Sequence, residues 1–280
     1  MNRAFGIVAG LCWLTLMVVL VQRDVVPFWS AQEAPTTMAP SSSFQVAIRN
    51  SAGTRVGTTW VISTPTEMIT TIRSQTLIDL RTVSSLLPLN GPLMIVTTLT
   101  YHPADTLQDF KIRLDGAPIA VSLRGERCGV DFACTMTYGG VRQTVVLDGR
   151  LSQCLAETLR PFTHLRDLHV GQTWRIRLLD PLSLLHGQAP ELKTQLVKVA
   201  SRETIQHGGR DVPCFRIETD GAVAWANDEG RVLRQDVQIP LLGTWTLTDE
   251  PFDQETRHAA VQWIESLRAT GLAAPATSEE

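Results

Sequence analysis

The residues able to do acid–base or nucleophilic work are few, and their spacing does not gather them. His164 and His169 stand five positions apart, whereas a four-residue interval would place them on one helix face. In a loop they have the reach to share a metal, but solvated loop histidines give the same pattern. Cys154 and His164 supply the halves of a thiolate pair and lack a third group to orient the imidazole. His102 and Asp105 flank Pro103 in a turn, where Asp105 is placed to accept turn amides. Asp228 and Glu229 are adjacent carboxylates, and neighbours in a turn point apart rather than sharing a proton. The chain contains no Gly-x-Ser-x-Gly elbow, no glycine-rich phosphate loop and no His-Glu-x-x-His. We therefore read it as non-catalytic, with no cofactor and no metal. A hydrolase using His164, His169 or Cys154 is the least favoured alternative, because it needs those side chains to converge in one cleft.

Two tryptophans are the candidate ligand-binding residues. Trp174 and Trp225 each lie in a segment with strand character, so each is expected to face the core or concave side of a sheet. There an indole can wall an apolar cavity, or pack a core with its N–H satisfied locally. Packing is the favoured reading.

The elements that must position these residues are mostly strands. Ile95 to Tyr101 is dense in β-formers, a turn follows at His102–Asp105, and Phe110, Ile112 and Leu114 then alternate with Lys111, Arg113 and Asp115. Asp115-Gly116 reverses the chain into Ile119–Leu123. Val130, Phe132, Cys134 and Met136 alternate onto one face, and Tyr138-Gly139-Gly140 turns the chain into Thr144–Leu147. Trp174, Ile176 and Leu178 alternate with Arg175 and Arg177; further strands are read at Leu192–Ala200, Val212–Thr219, Ala222–Ala226 and Val232–Val237. Helix signals are confined to Ser152–Leu159 and to Phe252–Ala269, where Ala260, Trp263, Ile264 and Leu267 recur at helical spacing. The second helix is expected to cover an open sheet. No internal repeat or second linker is evident.

Residues Ala4 to Val21 form an uncharged apolar run, which as a helix spans about 27 Å, close to a bilayer's hydrocarbon core. A signal peptide needs a small-residue cleavage site, and the nearest candidate, ending at Ala31, puts Trp29 where a small residue is required. Residues 1–29 are therefore read as a retained anchor, with secretion after cleavage as the alternative. Arg3 weakly sets the N-terminus inside and the body outside. Gly6 and Gly10 make a Gly-x-x-x-Gly pair, a candidate membrane dimer motif, although glycine is common in membrane helices. Residues 30–43, rich in Pro, Ser, Thr and Ala, read as a flexible linker, 44–270 as one β-rich domain, and 271–280 as a disordered tail. The net charge of −3 without a basic stripe argues against nucleic acid as a partner. Cys128, Cys134, Cys154 and Cys214 permit disulfides in an exported domain. Cys128 and Cys134 can pair only if the chain reverses near Gly129.

From Leu93 onward the order of features carries a resemblance. The hairpins lead into Tyr138-Gly139-Gly140 and Leu147-Asp148-Gly149, then Leu168–Trp174, Leu179-Asp180-Pro181, Gly208–Pro213 and Trp225–Arg234. Together these resemble the exported domains of the DUF3108 and LolA-like group, and are similar to the domain that precedes a transglutaminase-like enzyme domain in some bacterial envelope proteins. The resemblance implies an exported, curved antiparallel half-barrel of bacterial origin; together with the apolar run it leads to the expectation of a periplasmic domain held by a single-pass anchor in the inner membrane. Nothing here matches a transglutaminase-like Cys-His-Asp core, so that activity is not implied. The expected fold is thus mainly β (α+β): a single curved antiparallel sheet or half-barrel with one or two covering helices, preceded by an N-terminal transmembrane helix. The expected function is non-catalytic binding of an apolar ligand, such as a lipid, or of an envelope protein. An accessory subunit of an envelope or transporter complex, working through the anchor and a sheet edge, is the alternative. The oligomeric state is left open.

Overall fold

Alternation and turn chemistry are realised as a chain of antiparallel hairpins in the computed structural model. It describes residues 42–82, 91–102, 106–116, 119–149, 164–165, 167–179, 192–239 and 242–269. The apolar run at 4–21 with Gly6 and Gly10, most of the linker, Asp105, the expected helix at 152–159 with Cys154, and the tail lie outside these residues. No helix among the described residues is long and apolar enough to cross a membrane.

The first eight strands are β1 (Ser42–Arg49), β2 (Arg55–Pro65), β3 (Thr70–Asp79), β4 (Pro92–His102), β5 (Thr106–Gly116), β6 (Ile119–Cys128), β7 (Asp131–Tyr138) and β8 (Val141–Leu147). Six more follow: β9 (Thr173–Leu179), β10 (Leu192–His207), β11 (Arg210–Thr219), β12 (Ala222–Asn227), β13 (Val232–Ile239) and β14 (Gly243–Glu250). One helix, α1 (Gln254–Ala269), closes the described chain. All fourteen strands form one sheet in the order β8-β7-β6-β5-β4-β3-β2-β1-β14-β13-β12-β11-β10-β9. Two meanders therefore grow outward from the β1–β14 pair. The sheet is curved and unclosed, and its two edges, β8 and β9, are consecutive in the chain.

The register defines the two faces. Phe44 opposes Val61, Ser63 opposes Ile72, Leu99 opposes Phe110, and Phe132 opposes Leu147, so one apolar layer runs from β1 to β8. Val61, Ile72, Leu99, Tyr101, Phe110, Phe132 and Leu147 are buried together there. Phe110 packs on Phe132 at 5.9 Å and covers the bare backbone of Gly125, its partner across β5–β6. A second cluster, Leu165, Trp174, Ile176, Val197, Val199, Ile217 and Ala226, lies on β9–β12. The opposite face of the central strands carries Trp60 and Met94, and α1 seals them with Ala260 and Ile264.

Helix α1 starts where Asp253 accepts the amides of Glu255 and Thr256, satisfying donors that a first helical turn leaves unpaired. It is pinned to the sheet by the Asp253 amide on Gln45 Oε1 at 3.1 Å and by Arg257 Nε on Gln75 Oε1 at 2.6 Å. Trp263, expected on its apolar stripe, is exposed because the stripe that meets Trp60 runs through Ala260 and Ile264. Val130, expected on the inner face of a strand, instead sits in the two-residue turn between β6 and β7 and is 71% exposed. The chain does reverse at Gly129, but Cys128 opposes Asp131 and Cys134 opposes Gly125, and both thiols are free.

Candidate functional site

The feature of the fold least explained by its own packing is the edge strand β8. Gly139 and Gly140 both have positive φ, 55° and 79°, the backbone of a tight two-residue turn whose twist suits a hairpin. The turn pairs Tyr138 with Val141 and sets Met136 opposite Gln143 and Cys134 opposite Val145. In such a hairpin the pair next to the turn exchanges its hydrogen bonds and alternate pairs do not. The N–H and C=O groups of Val141, Gln143 and Val145 therefore point to β7, and those of Arg142, Thr144 and Val146 point to the side where no described strand pairs with β8.

Six of the seven β8 residues are exposed, and only Leu147 is buried. Val141 is 69%, Val146 65% and Val145 38% exposed, with Tyr138 of the neighbouring strand at 57%. Arg142 is the one charge in the strand, and it contains no proline. Natural sheets guard edges with charged side chains, prolines or bulges. The other edge follows that rule: β9 carries Arg175 and Arg177 in alternation. The β7–β8 register is continuous from Phe132 to Tyr138, without a bulge. An apolar, regular, weakly charged edge is the geometry that accepts another strand.

The two tryptophans part company. Trp174 opposes Val197, which shares a face with Val199; Val199 opposes Ile217, and Ile217 opposes Ala224, the neighbour of Trp225. The two indoles thus stand on opposite faces of the sheet. Trp174 is 1% exposed in the core, and its Nε1 has no hydrogen-bond partner. Trp225 is half-buried on the polar face. It donates its Nε1–H to Glu203 at 3.2 Å, and Arg234 stacks over its ring at 4.9 Å. Arg216 beside Glu203 and Asp236 beside Arg234 complete a charged ladder. The hydrogen bonds from Trp225 and Ser201 hold the Glu203 carboxyl below the usual carboxylate range. Ala222 to Ala226 is apolar on both faces, so the sequence carries no signal for which way the Trp225 indole turns.

The histidines sit apart from β8, and of the free thiols Cys134, on β7, lies across from Val145. His164 makes an isolated bridge with Arg231. His169 is exposed, with its Nδ1 3.4 Å from the Asp167 carbonyl. His102 is exposed at the end of β4, and Asp228 and Glu229 are exposed in the β12–β13 turn, Asp228 paired with Arg202 at 2.7 Å. Burial pushes the Cys134 thiol up to about 11 and raises that of Cys214, so both are protonated at neutral pH. Among the described residues no group of three or more His, Cys, Asp or Glu is placed to hold a metal.

One buried carboxylate titrates in an unusual direction. Asp249 accepts from Arg231 Nη2 at 2.8 Å and lies 3.8 Å from His207 Nε2. Its pKa nevertheless rises above the ordinary 3.8, because loss of solvation outweighs the arginine. A carboxyl that holds its proton more tightly when folded loses stability as pH rises from the unfolded value through the folded one. We expect the stability advantage of the parent over Asp249→Asn to shrink between about pH 3 and about pH 7. Urea unfolding at both pH values measures it, and an advantage that grows with pH contradicts the assignment.

Comparison of the chain with protein-family models, with curated proteins and with solved structures finds no match.

Proposed function

We propose that this chain is a non-catalytic, membrane-tethered periplasmic protein that binds an envelope protein partner by adding the partner's strand to the free edge of β8. The observation that carries the reading is the exposed, unguarded β8 edge. A strand laid there pairs with the outward backbone groups of Arg142, Thr144 and Val146. It also covers apolar surface on Val141, Val145 and Val146, each square ångström of which is worth about 25 cal/mol when removed from water. The partner's segment is extended and rich in β-branched residues, since those fit a pleated surface. Residues 1–29, read as an anchor, hold this edge beside membrane-bound partners. An accessory subunit of a transporter or other envelope complex is the same reading with an integral membrane partner.

The test uses the full chain, affinity-isolated from membranes in mild detergent. The parent is expected to bring a stoichiometric protein, whether another copy or a different chain. The double variant Val145→Lys, Val146→Lys is expected to lose it while keeping the parent's thermal unfolding, because both side chains are exposed. Retention of the partner by the variant, or isolation of the parent as a lone monomer, contradicts the reading.

A second reading has one observation in its favour. The buried indole N–H groups of Trp174 and Trp245 have no acceptor, and each such donor costs about 1–3 kcal/mol. The carboxylate or ester carbonyl of an apolar ligand, such as a lipid, would supply one. Native mass spectrometry followed by solvent extraction decides: a co-purifying lipid supports the ligand, and a bare protein mass removes it.

A further inference from the structure

We infer that the strand received by β8 is β8 of a second copy of this chain, paired antiparallel about a two-fold axis through Thr144. This rests on the reading of β8 as the docking edge and names its partner. In that register Thr144 faces Thr144 of the partner, Arg142 faces Val146, and Val146 faces Arg142. Because these are the residues whose backbone groups point outward, each of the three pairs exchanges two main-chain hydrogen bonds. The remaining pairs are Val141 with Leu147 and Gln143 with Val145, so the whole strand is used and nothing is left over at either end.

The side chains agree with this register on both faces. Val141, Gln143 and Val145 share the face of Leu147, which is buried with Phe132 and Cys134. Setting Val141 against Leu147 and Gln143 against Val145 carries that apolar layer across the seam. On the other face Thr135 and Thr144 already lie side by side, their hydroxyls 3.4 Å apart. Two copies would align four threonines in a row, a favourable cross-strand combination. The one charge, Arg142, meets valine instead of its own copy, so no like charges oppose one another. The same central placement on β9, a two-fold about Ile176, would instead set Arg175 against Arg177 in both pairs. The β8 edge is therefore self-complementary in its central register, and the β9 edge is not. Confinement of both copies to one membrane would raise their effective concentration and favour an interface this narrow.

The experiment places a photo-crosslinking amino acid, p-benzoylphenylalanine, at position 144 of the full chain in its native membrane. A control chain carries it at 124, an exposed site on the same face of β6. The expected result is an adduct of twice the chain mass from 144, at least tenfold stronger than from 124, with the link mapping to residues 143–145 of the second copy. An adduct with a different protein overturns the second-copy assignment and leaves edge docking standing. A two-copy adduct equally strong from 124, or one mapping outside β8, overturns the assignment as face-to-face association. No adduct from 144 overturns both the assignment and the docking edge.

Discussion

Gly230→Ala is expected to destabilise the protein by about 3–5 kcal/mol, at the upper end of single substitutions. Gly230 has a φ of +83°, and a β-carbon there would lie 1.7 Å from the carbonyl oxygen of Leu165. That contact is backbone to backbone, so no side chain can swing aside to relieve it. The two segments are also bonded, the Leu165 amide donating to the Gly230 carbonyl at 2.8 Å. Separating them withdraws Leu165, 3% exposed, from the cluster around Trp174. The control is Gly209→Ala. Gly209 has a similar φ of +75° but nothing within 4 Å of an added β-carbon. It isolates the strain of a left-handed alanine, about 1–2 kcal/mol. Thermal unfolding should show a fall of about 10 °C for Gly230→Ala and about 4 °C for Gly209→Ala. Equal falls would mean that the Leu165–Gly230 contact yields without cost.

The second large effect separates two roles of one side chain. Trp174→Ala empties a site that is 1% exposed among Ile176, Val197, Val199 and Ile217, and should cost about 3–5 kcal/mol. Trp174→Phe keeps most of the apolar contact and removes a buried N–H that has no acceptor. Replacing an unsatisfied donor by carbon recovers its desolvation cost and offsets part of the cavity left by the smaller ring, so we expect this variant to lose less than half of what Trp174→Ala loses. Denaturant titrations of both variants measure the pair of values. A loss from Trp174→Phe as large as from Trp174→Ala would show that the N–H has a partner holding it, and would favour the ligand reading.

Much of the sheet was legible in the sequence where one face is wet. Phe110, Ile112 and Leu114 against Lys111, Arg113 and Asp115, and the Gly139-Gly140 and Gly208-Gly209 turns, correspond to strands and hairpins in place. The helix at Gln254–Ala269 lies two residues inside its expected start. The central strands β1–β3 were not legible individually, and the reason is physical. Their two faces are both covered: Val61 and Ile72 enter one core, while Trp60 and Gln75 lie under α1. Strands buried on both sides lose the alternation that announces them. Pairing is a second blind spot. That Val141–Leu147 is an edge follows from which strands find each other, not from its own residues. The signal available was a run of three valines, one leucine and a single charge just after a Gly-Gly turn. The same limit applies to Trp225, whose apolar neighbours on both sides hide its orientation.

The claim that β8 receives a strand is tested most directly by amide hydrogen exchange, resolved to single residues, along 141–147. In the protein stripped of partners by detergent, the amides of Val141, Gln143 and Val145 are bonded to β7 and should exchange slowly, while those of Arg142, Thr144 and Val146 should exchange fast. In the native membrane the second set should slow by at least tenfold, giving protection along the whole strand. If Arg142, Thr144 and Val146 exchange as fast in the membrane as in detergent, no strand is added at this edge and the account is wrong.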